Sequence, residues 1–275
     1  MTQKIKYLSR IKDEFDFVIC GVNGVFMYGE NADMDAVDAL IKLYQSGKKI
    51  VLASNSGMRV RDLYYALKQK DVPMNIFYAM ITAGEIAHFY LKNNQSLGRK
   101  YFNLCGGESK TAAGLDYSAA DSMVMADFII AETENCGLDI AAVTPLMEQA
   151  LHLRLPFLCI GNNTSLIASD GVVESVGAVA EQYAMMGGQV IPFGKPDVQI
   201  AAYLTEGMPG FLAHRCLIIG DCMATDMRMG NNFGAKTLLI GNGVHQLFEN
   251  TDRRLSDLSA DYGLNVDYFM EKLAW

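Results

Sequence analysis

Four short segments carry the side chains best suited to chemistry, and each follows an apolar stretch that predicts a β-strand. The segments are CGVNGV (residues 20–25), LASNSG (52–57), FGKPD (193–197) and IGDCMATD (219–226). Open parallel sheets bind ligands in the crevice beyond the carboxyl ends of their strands. We therefore expect these segments, which are distant in sequence, to meet in one site.

Each segment alone has a simpler interpretation. Ser54 could cap the following helix, and Lys195 could be a solvated loop residue. Asp221 could be a turn residue, and Asp226 could be an acid favoured by a helix dipole. Residues 21–24 could form a tight turn and nothing more. Only the ordered occurrence of all four segments at predicted strand ends favours a functional site.

The elements around these segments alternate in the manner of an α/β protein. Residues 31–55 predict a helix capped by Asp33 and stopped by Gly47, followed by a second apolar strand. The next helix, around residues 59–71, precedes a third short strand at IFYAMIT (76–82). The fold predicted is a doubly wound parallel α/β sheet with right-handed connections.

A second α/β unit interrupts this pattern. Strands and helices continue from about residue 83, and strands QVIPFG (189–194), RCLIIGD (215–221) and AKTLLIG (235–241) then resume the first pattern. We predict a core made of residues 1–82 and 188–275, with residues 83–187 as an inserted domain. Segments ITAGE (81–85) and GNNT (161–164) are expected to face the cleft between them.

Composition limits the partners. The 275 residues carry a net charge of −8 and are 51% hydrophobic, which predicts a globular protein that binds neither nucleic acid nor anionic lipid. No apolar run approaches a membrane span, and the first residues lack the apolar middle of a signal peptide, so the expected location is cytoplasmic. Six scattered cysteines without a CxxC pair favour reduced core thiols.

The ordered set of segments resembles the haloacid dehalogenase (HAD) superfamily, in its NagD-like and p-nitrophenyl phosphatase-like branch with a large inserted cap. The resemblance covers nearly the whole chain and implies Mg²⁺-dependent hydrolysis of phosphate esters. It implies phosphate binding by Ser54, Asn55 and Lys195. It also implies metal binding by Asp221 and Asp226, a phosphorylated small-molecule ligand, and association of the chain into a homo-oligomer.

The first segment departs from the family pattern. The family's first strand ends in Asp-x-Asp-Gly, where the first Asp attacks phosphorus and the second serves as acid and base. Here those catalytic positions are Gly21 and Asn23. Glycine has no side chain to attack with, and an asparagine amide does not titrate near neutral pH. Cys20 does not substitute, because side chains alternate along a strand and it points to the opposite face.

Metal binding is expected to weaken as well, because Mg²⁺ loses one carboxylate. Asn23, Asp221 and water could still form a weak site. The sequence favours a phosphatase-like scaffold that binds a phosphorylated small molecule or partner without turnover. Two alternatives remain open: a phosphatase that attacks with metal-bound water, and an altered form of an active enzyme.

Overall fold

A computed structural model describes residues 2–132, 140–168, 171–197, 200, 208–248 and 251–275. The helices among these residues are α1 Met34–Gln45, α2 Val60–Lys68, α3 Ala83–Asn93, α4 Ile140–His152, α5 Val176–Met185, α6 Arg228–Phe233 and α7 Thr251–Tyr262. The strands are β1 Gln3–Lys4, β2 Phe17–Cys20, β3 Met27–Tyr28, β4 Asn31–Ala32, β5 Lys49–Ser54, β6 Phe77–Thr82, β7 Lys100–Asn103, β8 Ser118–Ala119, β9 Phe128–Glu132, β10 Phe157–Ile160, β11 Ser165–Ala168, β12 Gly171–Glu174, β13 Val190–Phe193, β14 Cys216–Gly220, β15 Lys236–Ile240 and β16 Tyr268–Met270.

The larger sheet joins both ends of the chain. Its seven strands lie in the order β1-β16-β15-β14-β2-β5-β6, and every pairing is parallel. The central strands β2, β5 and β14 are apolar and almost wholly buried, as expected for parallel strands covered on both faces. The predicted α/β class with a large parallel sheet is confirmed.

Helix α1 shows how local sequence sets the first βαβ unit. The Asp33 side chain accepts hydrogen bonds from the main-chain N–H groups of Asp35 and Ala36, which is N-terminal capping. After the helix ends, Gly47 adopts φ +83°, a left-handed conformation that suits glycine. Both predicted helix boundaries are therefore correct.

The middle of the chain forms a separate five-stranded parallel sheet in the order β13-β10-β9-β7-β8. Helices α4 and α5 cover one face through Val143, Met147 and Tyr183, among others. Helix α3 packs on the other face through Ala87 and Leu91. This sheet brings the carboxyl ends of β10 and β13 toward the loop that follows β5.

Strand β13 corrects one prediction. Residues 189–194 were expected to form a core strand, but β13 pairs with β10 of the five-stranded sheet in the register Phe157↔Val190 to Ile160↔Phe193. A domain joint at 188 would separate this strand from its sheet, because the strand begins two residues later.

Two further features bear on the sequence predictions. Cys20, Cys159, Cys216 and Cys222 are free and buried, but Cys105 is disulfide-bonded, so the prediction of reduced thiols throughout is wrong at that residue. Within the described ranges, no helix is both long enough and apolar enough to cross a membrane.

Candidate functional site

The carboxyl ends of β2, β5 and β14 meet at one edge of the larger sheet, and β13 delivers Lys195 to the same place. The Lys195 ammonium lies 2.7 Å from Oδ1 of Asp226, and both residues are almost completely buried. Two of the four segments that the sequence expects to meet in one site are therefore in contact. Segments 193–197 and 219–226 therefore share one charged cluster although they follow strands of different sheets.

The two carboxylates have different surroundings. Asp226 accepts hydrogen bonds at Oδ2 from the Cys222 main-chain N–H and the Thr225 hydroxyl, at 3.3 and 3.4 Å. Asp221 accepts at Oδ2 from the Val244 main-chain N–H at 3.0 Å. Asp226 is thus neutralised by Lys195, whereas the close contact of Asp221 is with an uncharged main-chain donor.

The different surroundings of the two carboxylates affect the pKa values in the cluster. Burial, followed by the charge of Asp226, raises the pKa of Asp221 to about 7. Burial also lowers the pKa of Lys195, but the charge and hydrogen bond of Asp226 outweigh it, so the pKa of Lys195 is raised overall. Lys195 remains charged at neutral pH, and Asp221 carries the least compensated charge in the cluster.

Three glycines make room for the carboxylates. A Cβ atom added at Gly24 or Gly243 would collide with the Asp221 side chain, and one added at Gly220 would collide with Asp226. Gly24 also has φ +74°, which few residues other than glycine adopt. The turn after β2 is therefore shaped around Asp221, and residues with side chains would displace it.

The turn itself lacks reactive groups at the two expected positions. A Cβ atom built at Gly21 would lie 3.5 Å from Oδ1 of Asp226 and 3.2 Å from the side chain of Val25, so the position faces the charged cluster. Asn23 is exposed. Cys20 lies in the apolar cluster beneath α1, and burial raises the pKa of its thiol far above the ordinary value. The Cys20 side chain therefore lies in the apolar core, as predicted.

The loop after β5 connects the two sheets. Ser54, 5% exposed at the end of the strand, accepts a hydrogen bond from the Ser56 main-chain N–H. The Asn55 side chain accepts from the Lys195 main-chain N–H at 2.6 Å and donates to the Lys195 carbonyl at 3.2 Å. It also donates to Oδ1 of Asn163, which follows β10, at 2.6 Å. Asn55 was predicted to bind phosphate, but its side chain holds the main chain of Lys195.

The acids present do not match the requirements of a strong Mg²⁺ site. Across the described ranges, no group of three or more His, Cys, Asp or Glu side chains could hold a metal ion. Asp226 already has Lys195, Cys222 and Thr225 as partners. Mg²⁺ prefers six oxygen ligands and commonly takes one or two carboxylates. In this cluster only Asp221 lacks a paired cation, and one carboxylate is too few for a strong site. We therefore derive no reaction step through a metal.

The structure adds residues that the sequence pattern did not single out. Asn163, in the GNNT segment, reaches the core through Asn55, and Val244 fixes Asp221 through its main chain. In the ITAGE segment, Glu85 binds Arg59 in a bidentate pair with both distances at 2.8 Å. A buried Asn and a Glu beside a helix start are common in many proteins, so their types alone gave little signal.

Comparison with known sequences finds proteins that are similar to this chain. The HAD-hydrolase-like family profile matches residues 192–264, a range that includes Lys195, Asp221 and Asp226. A glycerol-3-phosphate phosphatase from Gallus gallus is 28% identical, covering 94% of this chain and 90% of that protein. The ribonucleotide monophosphatase NagD from Escherichia coli K12 is also 28% identical, covering 84% of this chain and 89% of NagD.

Solved structures show the same fold. A haloacid dehalogenase-like hydrolase from Brucella suis superposes with a TM-score of 0.81 at 22% identity, covering 98% of this chain and all of that one. Escherichia coli NagD gives a TM-score of 0.65 at 20% identity, covering 94% of this chain and 97% of NagD. The fold and the charged cluster define an α/β protein with a buried ion pair at the edge of its larger parallel sheet. The chain is therefore similar to these phosphatases over most of its length, and its fold is that of the haloacid dehalogenase-like hydrolase.

Proposed function

We propose that the chain binds a phosphorylated small molecule at this crevice and is impaired as a phosphohydrolase. The observation that carries the proposal is the Lys195–Asp226 pair at 2.7 Å beside Gly21, a position with no side chain. In this arrangement the buried ammonium is neutralised by a neighbouring acid, and nothing at position 21 can attack phosphorus.

The remaining groups support binding better than turnover. The Ser54 hydroxyl and the Lys195 ammonium are donors that suit phosphate oxygens. Two buried carboxylates oppose an anion, however, and the charge of Lys195 offsets only one of them. We therefore propose that a phosphate ester binds more tightly when Asp221 is neutral.

A division into a core and an inserted cap supports the same function. We propose that residues 83–193 form the cap and that Asn55 couples its position to Lys195. The coupling rests on three hydrogen bonds that converge on the Asn55 side chain. Binding would then require the five-stranded sheet to stay docked near the β5 loop.

Phosphate binding is tested directly. Inorganic phosphate should bind the unaltered protein in an equilibrium titration without added metal. Ser54→Ala should weaken binding about tenfold, the effect of losing roughly 1.4 kcal/mol. Asp221→Asn, which keeps the shape of the side chain and removes its charge, should tighten binding. Failure of the unaltered protein to bind phosphate would exclude the proposal.

Turnover is tested separately by release of phosphate from sugar and nucleotide monophosphates with and without Mg²⁺. We expect release well below an ordinary enzymatic rate of roughly 1 per second. Release at or above that rate, abolished in Asp221→Ala, would instead establish a phosphatase that attacks with metal-bound water.

A further inference from the structure

Two turns enclose the Asp221 carboxylate, one after β2 and one after β15. The first contains Gly24 and the second contains Gly243, and a Cβ atom added to either glycine would collide with the Asp221 side chain. In the second turn, the Val244 main-chain N–H donates to Oδ2 of Asp221 at 3.0 Å. Asp221 is only 5% exposed. The main chain of both turns therefore occupies the space next to this carboxylate.

One side-chain hydrogen bond fastens the two turns together. The Tyr28 hydroxyl, on β3, donates to Oδ1 of Asn242 at 2.7 Å, although the two residues are 214 positions apart in sequence. The same hydroxyl lies 3.2 Å from the Gly24 carbonyl oxygen. Asn242 directly precedes Gly243, so this bond joins the hairpin that follows the first turn to the second turn. We call the Tyr28–Asn242 hydrogen bond the clasp.

The parts that the clasp joins are themselves anchored. The Gly24 main-chain N–H donates to the Met27 carbonyl at 2.8 Å, which ties the first turn to β3. The Asn242 main-chain N–H donates to the Glu271 carbonyl at 3.0 Å, which ties the second turn to the chain after β16. Burial, the largest influence on Tyr28, raises the pKa of its hydroxyl, so the hydroxyl stays protonated and can donate at neutral pH. The clasp therefore holds two fixed parts of the core against each other.

We propose that the clasp excludes divalent cations from Asp221. A Mg²⁺ or Mn²⁺ ion at a carboxylate commonly keeps several of its water molecules and needs room for them. The two turns take that room, so a cation reaches Asp221 only when the turns separate, and their separation breaks the clasp. The inference concerns the access of cations and is independent of the proposed phosphate site.

The experiment measures equilibrium binding of Mn²⁺ by electron paramagnetic resonance. Tyr28→Phe removes only the hydroxyl and should tighten Mn²⁺ binding about fivefold, because losing a hydrogen bond of average strength raises the population of separated turns by about that factor. Asn242→Ala removes the acceptor and should have the same effect. The double variant should bind Mn²⁺ no more tightly than either single variant, because both remove the same bond.

Tyr117→Phe is the matched control. Tyr117 is also half-buried, and its hydroxyl donates to the carbonyl of Leu91 on α3 at 2.9 Å. This variant therefore loses one tyrosine hydrogen bond without touching either turn, and its Mn²⁺ affinity should equal that of the unaltered protein. Asp221→Asn added to Tyr28→Phe should abolish the gain, which assigns the bound cation to the carboxylate. Thermal melts of all variants establish that they fold.

The outcomes are distinct. An Mn²⁺ affinity that is unchanged in folded Tyr28→Phe and Asn242→Ala, or no measurable Mn²⁺ binding by either, overturns the proposal. A gain that survives Asp221→Asn, or that also occurs in Tyr117→Phe, overturns it as well, because the cation then binds elsewhere. Titration of the unaltered protein with inorganic phosphate, without metal, tests the proposed function separately, and its failure leaves the role of the clasp standing.

Discussion

The two sides of the crevice differ in what they retain. On the side of β13 and β14, Lys195, Asp221 and Asp226 form a buried charged cluster held by specific hydrogen bonds. On the side of β2, Gly21 and Asn23 provide neither a nucleophile nor an acid. The HAD-hydrolase-like profile covers the first side only. One side therefore holds a buried ion pair, whereas the other lacks the side chains that would react.

The largest expected effect comes from placing carboxylates at positions 21 and 23, so that both sides of the crevice carry reactive groups. Gly21→Asp with Asn23→Asp should raise Mg²⁺-dependent phosphate release by about 100-fold or more, because the acid/base group alone is worth about 10² to 10⁴ and the nucleophile is a precondition. Gly21→Asp alone should bind Mg²⁺ more tightly and form some phosphoenzyme. Asn23→Asp alone should change little, since an acid cannot assist an attack that does not occur. Phosphate release and phosphoenzyme trapping measure these effects.

The structure allows this substitution. The Cβ position at Gly21 is tight but free of collision with main-chain atoms, its nearest contact being Val25 at 3.2 Å. Gly21→Asn, which has the same shape and no charge, is the control. If Gly21→Asn gained as much activity as Gly21→Asp, the effect would not come from a carboxylate, and the comparison of the two sides would be wrong.

Breaking the ion pair between Lys195 and Asp226 should destabilise the protein. Lys195→Met removes the cation and leaves the buried Asp226 carboxylate without a charged partner, at a cost of about 3–5 kcal/mol. The double variant Lys195→Met with Asp226→Leu should recover much of this loss, because it removes both charges together. Chemical denaturation measures the free energy of unfolding. A double variant less stable than Lys195→Met would show that the pair stabilises the fold beyond charge compensation.

The sequence alone predicted which residues form this cluster, but it did not predict which strands bring them together. Apolar strands, the Asp33 cap and the order of the four segments were sufficient for the α/β fold and for the meeting of Lys195 with Asp226. The sequence could not predict which sheet β13 joins, because its four residues VIPF suit either sheet. Strand pairing depends on residues that are distant in sequence. The contact of Asn55 with Lys195 depends on that pairing and was missed for the same reason.

Removing the charge of Asp221 should stabilise the protein, whereas removing the charge of Lys195 should destabilise it. The pKa of Asp221 is about 7 in the folded protein against an ordinary 3.8, so its contribution to stability is full below 3.8 and is lost as the pH rises through 7. Asp221→Asn does not titrate and can still accept from Val244. It should therefore be more stable than the unaltered protein above about pH 7, on the order of 4 kcal/mol, because the pKa of Asp221 rises from 3.8 to about 7 and each pKa unit corresponds to about 1.36 kcal/mol.

The measurement is the free energy of unfolding of both proteins from pH 4 to pH 8. The advantage of Asp221→Asn should grow with pH across this range and be smallest at the acid end. An advantage that is constant with pH would mean that packing, and not the charge of Asp221, causes it.

Removing the Asn55 hydrogen bonds that link the two sheets should have a smaller effect on stability. Asn55→Ala removes both side-chain hydrogen bonds to the Lys195 main chain and should cost about 1–2 kcal/mol. Asn163→Ala removes one bond to Asn55 and leaves those to Lys195, so it should cost less. Titration with inorganic phosphate should show weaker binding in Asn55→Ala than in Asn163→Ala. Equal binding by the two variants would mean that Asn55 does not position Lys195.

The smallest effect concerns a contact at the predicted joint between core and cap. Glu85 in α3 accepts from the Arg59 guanidinium and from the Val60 main-chain N–H at the start of α2. The hydrogen bond with Arg59 lowers the pKa of Glu85 in spite of partial burial. A carboxylate with a lowered pKa adds stability above its unfolded value of 4.5, and this stability is lost as the pH falls through the folded value. Glu85→Gln should therefore cost about 1 kcal/mol at pH 7, the upper end of the range for ion pairs near the surface.

This cost should disappear as the pH falls below the folded pKa of Glu85, where the unaltered side chain is also neutral. Asp62→Asn on α2 is the control, since it removes a half-buried acid whose ion pair with Arg61 is longer, at 3.6 Å, and it should change stability little. Urea denaturation at pH 7 and in acid separates the two variants. A Glu85→Gln cost that persists unchanged in acid would assign it to lost side-chain geometry, and the charge of this contact would then contribute nothing to holding α3 against α2.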